Sequence, residues 1–152
     1  MAVGDQQRAG LGDGPSPDHD VGRPGRMDRE RIPRKETMIP REGHIKAGAA
    51  DWEGVADGVR RKILGYDPHL MMVHVEFAKG SIGYVHRHPH RQVTFVERGS
   101  FEVQVGERKS TLSAGDCFFI PPEIDHGVVA LEDGSLVDVF TPAREDFLAP
   151  GS

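Results

Sequence analysis

Three histidines and a glutamine occupy alternate positions in one short stretch: His86, His88, His90 and Gln92, within Gly83-Tyr84-Val85-His86-Arg87-His88-Pro89-His90-Arg91-Gln92. In an extended chain alternate residues point to the same face, so His86 and His88 converge on one side. Pro89 interrupts a continuous strand. This predicts a strand to His88, a turn over Pro89 to Arg91, and a second strand from Gln92. In either arrangement His86, His88 and Gln92 approach one point, and His126, in another turn-bounded strand, can close the set. Imidazoles suit zinc, iron, nickel or copper. The neutral amide oxygen of Gln92 leaves such a site more positive than a carboxylate would, which favours polarising a bound carbonyl or enol oxygen. The bland alternative is a polar strand at a wet barrel mouth, its imidazoles satisfied by water and neighbours.

A second chemical signal lies near the C-terminus. In Ser135-Leu136-Val137-Asp138-Val139-Phe140, alternation puts Leu136, Asp138 and Phe140 on one face. A carboxylate among apolar residues costs free energy unless it is paired, hydrogen-bonded or used. Asp138 can shuttle a proton if burial moves its pKa toward neutrality. Arg144 follows just past Pro142, and a salt bridge between Asp138 and Arg144 that fixes the C-terminus is the structural alternative.

These residues must be positioned by strands. Leu70 to Phe77 is apolar and β-prone, Gly83 to His88 and Gln92 to Glu97 follow, and Phe101, Val103 and Val105 alternate with Glu102 and Gln104. Gly106-Glu107 is a hairpin signal. Lys109 to Leu112, Cys117 to Ile120, His126 to Leu131 and Ser135 to Phe140 complete the train, with Gly and Pro turns between. About eight short strands without a helical period predict an all-β sandwich or barrel and exclude a parallel βαβ sheet. Asp51-Trp52-Glu53-Gly54 and Asp57-Gly58 read as turns, Trp52 as packing over a barrel edge, and Arg60 to Leu64 as a short strand or arm.

The chain has 152 residues, the size of one domain. A disordered tail is expected over residues 1–36, where Gly and Pro break any period and too little apolar surface exists to offset ordering entropy. An N-terminal arm over 37–58, a barrel over 59–148 and a tail over 149–152 follow. Net charge is −5 with no basic stripe, which argues against nucleic-acid or anionic-membrane partners. No apolar stretch reaches the length of a membrane span and no signal-peptide core is present, so a cytoplasmic protein is expected. The one cysteine, Cys117, excludes an intrachain disulfide framework. Its neighbours Phe118, Phe119 and Ile120 predict a buried thiol.

The spacing of the metal-type residues resembles the two motifs of the cupins, small double-stranded β-helix (jelly-roll) barrels. Gly80, His86, His88, Gln92 and Gly99 fall at the positions of the first motif, with Gln92 in the place of its glutamate. Gly115, Pro121 and His126 fall at those of the second, with Glu123 replacing a glycine and Ala130 an asparagine. The resemblance spans roughly Val59 to Phe147. It implies that His86, His88, Gln92 and His126 hold one divalent metal ion, zinc first, with nickel, iron or manganese also admitted. It adds His90 as a further ligand or proton carrier, and implies a homodimer.

Glutamine at this position resembles two branches: cupin-type cyclases of bacterial aromatic polyketides, and the cupin that converts 4,5-unsaturated uronates to linear keto sugars. Asp138, Phe140 and Arg144 resemble the acid/base, aromatic wall and carboxylate-binding arginine of the uronate enzyme. In a cyclase, His90 or Asp138 would take an acidic methylene proton, and Phe95, Phe101, Phe118 and Phe140 would orient a flat product. Arg87 and Arg91 could meet an acidic or carrier-protein-bound polyketide. The high Arg, Gly and Ala content, which suggests a GC-rich bacterial genome, favours the cyclase as the expected function. The uronate reaction and a non-enzymatic metal- or ligand-binding cupin are the alternatives.

Overall fold

The computed structural model describes residues 43–149, and the expected disordered tail lies outside them. Among the described residues ten strands form two antiparallel sheets. The larger has the order β1 (Glu53–Ala56), β2 (Val59–Asp67), β3 (Leu70–Phe77), β10 (Gly134–Thr141), β5 (Arg91–Arg98), β8 (Cys117–Ile120). The smaller has the order β4 (Ile82–His86), β9 (His126–Ala130), β6 (Ser100–Val105), β7 (Arg108–Ser113). One helical turn, α1 (Glu145–Leu148), follows β10. No helix among the described residues is long and apolar enough to cross a membrane.

The core forms where the alternating inward residues of the two sheets meet. Val73, Val75 and Phe77 of β3, Leu136 and Phe140 of β10, and Val96 of β5 face Phe101 and Val103 of β6. Phe77 and Phe101 lock edge to face with centroids 5.3 Å apart. The same alternation sends the other half of each strand outward. On β5, Gln92, Thr94 and Val96 are buried, so Val93 and Phe95 are exposed.

The segment read as turns at the start contains a strand: β1 pairs with β2 across a hairpin, with Glu53 opposite Arg61. Trp52 lies beneath Arg60 and Lys62, whose charged ends stand 4.2 and 4.6 Å from its ring. Cys117 is exposed, against the expectation of a buried thiol. Its run is not buried on both faces; it is an edge strand whose alternate residues, Cys117 and Phe119, face outward.

Left-handed backbone separates two kinds of turn position. Gly99 has φ +81°, and a Cβ there would stand 2.6 Å from the Asp133 carbonyl oxygen. Gly115 has φ +97° with nothing within 4 Å. Glu123, at the position where the cupin motif has glycine, carries φ +63°, a conformation that costs an L-residue about 1–2 kcal/mol. Its N–H donates to the His88 carbonyl at 2.8 Å, so the strained turn secures a histidine. Glu123→Gly should therefore stabilise the fold by up to about 1 kcal/mol, since glycine's own entropy offsets part of the relief. Gly115→Ala should destabilise by about 1–2 kcal/mol, and Gly99→Ala by more, because it adds a clash to the same strain. Urea unfolding midpoints of the three variants measure this order.

Candidate metal centre

The two sheets and one loop each contribute to a single cluster. On the smaller sheet His86 and His126 are direct partners in the β4–β9 pairing, and their ring centroids lie 4.4 Å apart. The loop after β4 brings His88 in, with its ring 4.7 Å from His126 and 5.5 Å from His86. The candidate ligand nitrogens of these three residues lie within 4.8 Å of one another, so the three histidines could hold a metal ion. His88 and His126 are buried and His86 is exposed. Close approach of β4 and β9 depends on Gly127, where a Cβ would meet the Gly83 carbonyl oxygen at 2.9 Å.

Each of these rings has its Nδ1 aimed at a backbone carbonyl: His86 at Tyr84 (2.8 Å), His88 at His90 (3.1 Å), His126 at Ile124 (2.8 Å). A carbonyl only accepts, so in neutral His86 and His126 Nδ1 carries the proton and Nε2 is left as a lone pair, whereas neutral His88 lies between two acceptors, this carbonyl and the Gln92 oxygen, and donates to one of them. This is the orientation that backbone carbonyls impose on metal-bound imidazoles. His126 Nε2 is buried with no hydrogen-bond partner.

The larger sheet supplies the rest. Asp138 on β10 pairs in register with Thr94 on β5, and Phe140 with Gln92. Thr94 Oγ1 donates to Asp138 Oδ1 at 2.7 Å, and Gln92 Nε2 donates to Thr94 Oγ1 at 2.9 Å and Asp138 Oδ1 at 3.3 Å. With its nitrogen so engaged, the Gln92 amide turns its oxygen to His88 Nε2, 3.0 Å away. With the His88 proton on Nδ1 two lone pairs face each other here, and a cation between them would reconcile them; with the proton on Nε2 the ring donates to the amide oxygen instead. The donor set fits a divalent ion held by His86, His88, His126 and Gln92.

Burial sets the charges. Desolvation pushes His126 down to about 4, more than its bond to the Ile124 carbonyl restores. His88 is lowered by the same cause and then by the Arg144 charge. Both imidazoles are therefore neutral at pH 7, the form that binds metal. Asp138 is pushed up to about 6 by desolvation, against the opposing bonds from Thr94 and Gln92 and the charge of Arg144. The barrel wall encloses it, yet part of its surface faces a cavity.

That cavity, about 150 Å³, is walled by Val73, Phe77, Phe118 and Leu136 and has His86, Gln92, His126 and Asp138 on its lining. Of the expected aromatic wall, Phe118 lines it, and Phe140 is buried with its ring edge-on to His88, centroids 5.8 Å apart. Phe101 lies in the core against Phe77, outside the lining. Phe95 is 47% exposed on the outer face, because the register that buries Gln92 and Thr94 turns it away. Phe77, Phe147 and Arg61 line the cavity and were not identified from the sequence. Arg61 gave the same signal as Asp138, a charge between the inward apolar residues Val59 and Ile63.

His90 stands apart from the three-histidine cluster. Its carbonyl orients His88, its ring lies 5.3 Å from that of His88, and its Nδ1 is buried without a partner. Desolvation, and then the Arg144 charge, lower its pKa. Arg144 is buried, with Nε and one terminal nitrogen donating to the Asp146 carboxylate at 3.0 and 2.8 Å and its guanidinium over Phe147. The alternative pairing with Asp138 is not formed. Arg87 is exposed and paired with Asp125 at 3.1 Å.

Residues 73–140 match the family model for a cupin domain. A 99-residue stretch, 64% of this chain and 90% of the relative, is 48% identical to the pectin degradation protein KdgF of Dickeya dadantii (strain 3937). Among solved structures, an RmlC-like cupin from Shewanella frigidimarina NCIMB 400 superposes with a TM-score of 0.68 at 44% identity, covering 70% of this chain and 96% of that one. KdgF from Halomonas sp. gives 0.67 at 40% identity, covering 70% and 98%. These relatives overturn the expectation of a polyketide cyclase. The geometry agrees: only part of the aromatic wall is assembled, and the cavity is well below the roughly 300–1,000 Å³ of pockets for drug-sized ligands. The inward strand residues, the paired histidines and the match to the KdgF proteins lead to one assignment: the chain belongs to the cupin family.

Proposed function

We propose that this protein is a metal-dependent enzyme that opens 4,5-unsaturated uronates to linear keto sugars. The observation that carries the reading is the Asp138–Thr94–Gln92 chain on the cavity wall, which supports a role for Asp138 as a proton-exchanging carboxyl linked to the proposed ligand Gln92. Similarity to the KdgF proteins, one named for pectin degradation, supports the substrate class.

The reaction is an isomerisation, so protons must move without net gain or loss. The C1 hydroxyl loses a proton and the ring oxygen gains one as the bond between C1 and that oxygen breaks, leaving an aldehyde and an enol at C5. The enol becomes a ketone as C4 gains a proton and the enol hydroxyl loses one. Asp138 is suited to accept and return such protons, because its pKa of about 6 lies near neutrality. Thr94 and Gln92 hold one of its oxygens, which fixes the carboxyl plane toward the cavity. The apolar wall of Val73, Phe77 and Leu136 keeps the carboxyl desolvated. A divalent ion bound by His86, His88, Gln92 and His126 would supply Lewis acidity at a substrate oxygen. Zinc is the expected occupant, and nickel, iron or manganese suit the same donors.

Asp138→Asn should keep the metal and lower kcat by about 10²–10⁴-fold, the usual contribution of a positioned acid/base. Turnover of a 4,5-unsaturated uronate, followed by loss of the alkene absorbance, reads this directly. With Asp138 acting as base, kcat/KM should fall as pH drops through a limb at or below about 6. A bound cation favours the carboxylate and so moves that limb lower.

His86→Ala and His126→Ala should each lose stoichiometric metal, measured by elemental analysis, together with turnover. Metal retained in both variants would disprove the ligand assignment. Bound metal with no uronate turnover by the parent protein would leave a ligand-binding cupin.

A further inference from the structure

Within the cavity lining there is one permanent cation, Arg61, and one carboxylate, Asp138. Arg61 projects inward from β2 with its side chain only 12% exposed, and its guanidinium lies 3.7 Å above the Phe147 ring. A planar guanidinium stacked on an aromatic face keeps its in-plane N–H donors free for a ligand. Among the described residues its side chain makes a single polar contact, from Nε to Glu53 Oε2 at a long 3.4 Å. Glu53 sits on β1, directly opposite Arg61 in the sheet and partly exposed. A partly exposed pair of this length contributes little and is readily exchanged. Arg144 differs: its fork is already closed on Asp146 through two hydrogen bonds.

Resting on the function proposed above, we infer that Arg61 is the anchor for the substrate carboxylate, with Glu53 as the group that the carboxylate displaces. A ligand carboxylate reaching from the cavity would take up the N–H pair that Glu53 engages at one point, forming the two-point contact guanidinium favours. Phe147 holds the guanidinium plane, and Arg61 thereby selects acidic sugars over neutral ones. Arg61 is a specificity residue here and takes no part in proton transfer.

The test uses full-length, metal-loaded protein and the variants Arg61→Met, Arg61→Lys and Glu53→Gln, with metal content and melting temperature checked for each. Removing a charge-assisted contact should raise KM for the unsaturated uronate about 10–100-fold in Arg61→Met, with a smaller change in kcat. Arg61→Lys keeps the charge without the fork and should fall between. Should Arg61→Met not fold, this variant carries the test. Glu53→Gln removes the competing carboxylate and should lower KM, a gain that a purely structural pair would not produce. An unchanged KM in folded, metal-loaded Arg61→Met or Arg61→Lys would overturn the anchor while leaving the reaction assignment intact. Calorimetry with D-galacturonate and D-galactose separates the two ideas if the parent protein shows no uronate turnover. Preference for the acid, lost in Arg61→Met, would support the anchor without the reaction, and equal binding of both sugars would end it.

Discussion

The polarity of one side-chain amide ties the site together. Gln92 reaches from β5 between the Asp138–Thr94 pair and His88, and its two ends are not interchangeable. Asp138 and Thr94 need a donor, so the amide nitrogen must face them, and the oxygen is thereby committed to the histidine side. A glutamate at this position could not donate to Asp138, and two carboxylates would face each other in a desolvated wall. Glutamine for the motif's glutamate thus belongs with an aspartate on β10. The two departures from a plain barrel interior make sense only as a pair. The register of β5 against β10, which sets Thr94 opposite Asp138, is what makes the pairing geometrically available.

Desolvation then reverses the usual order of proton affinity. In water an aspartate releases its proton well before a histidine does. Here His126 is held down to about 4 and Asp138 up to about 6. One cause acts on opposite charge types: burial penalises the cation of one and the anion of the other. The consequence is a division of labour. His88 and His126 stay neutral, as metal ligation requires, while the carboxyl stays capable of exchanging a proton near neutrality.

Much of this was legible in the sequence. The period of two fixed the inward face of β10, and with it Asp138 and Phe140, and the spacing of the histidines marked His86, His88 and His126 as a set. What the sequence concealed was depth within a face. Phe101 and Phe118 are both aromatic residues on β strands, yet one is buried against Phe77 and the other reaches the cavity. Only the packing of one sheet on the other decides that. Phe95 was open to correction by the parity of β5 alone, since Gln92 and Phe95 differ by an odd number of positions and cannot share a face. Cys117 misled for a related reason: a run of apolar residues suggests burial on both sides, whereas β8 is an edge strand with one face outward.

The rule that exposed Asp138 applies with equal force to Arg61. An inward charge in an alternating strand is expensive unless something offsets it. Asp138 has hydrogen bonds from Thr94 and Gln92. Arg61 has an aromatic plane and one long contact to Glu53, a weaker set of partners for a permanent charge. A ligand that brings its own carboxylate supplies the missing partner, and a neutral ligand does not. The two inward charges, one able to change its protonation and one not, thereby divide the cavity into a place for proton exchange and a place for fixed recognition. A small acidic molecule is the class of ligand that uses both.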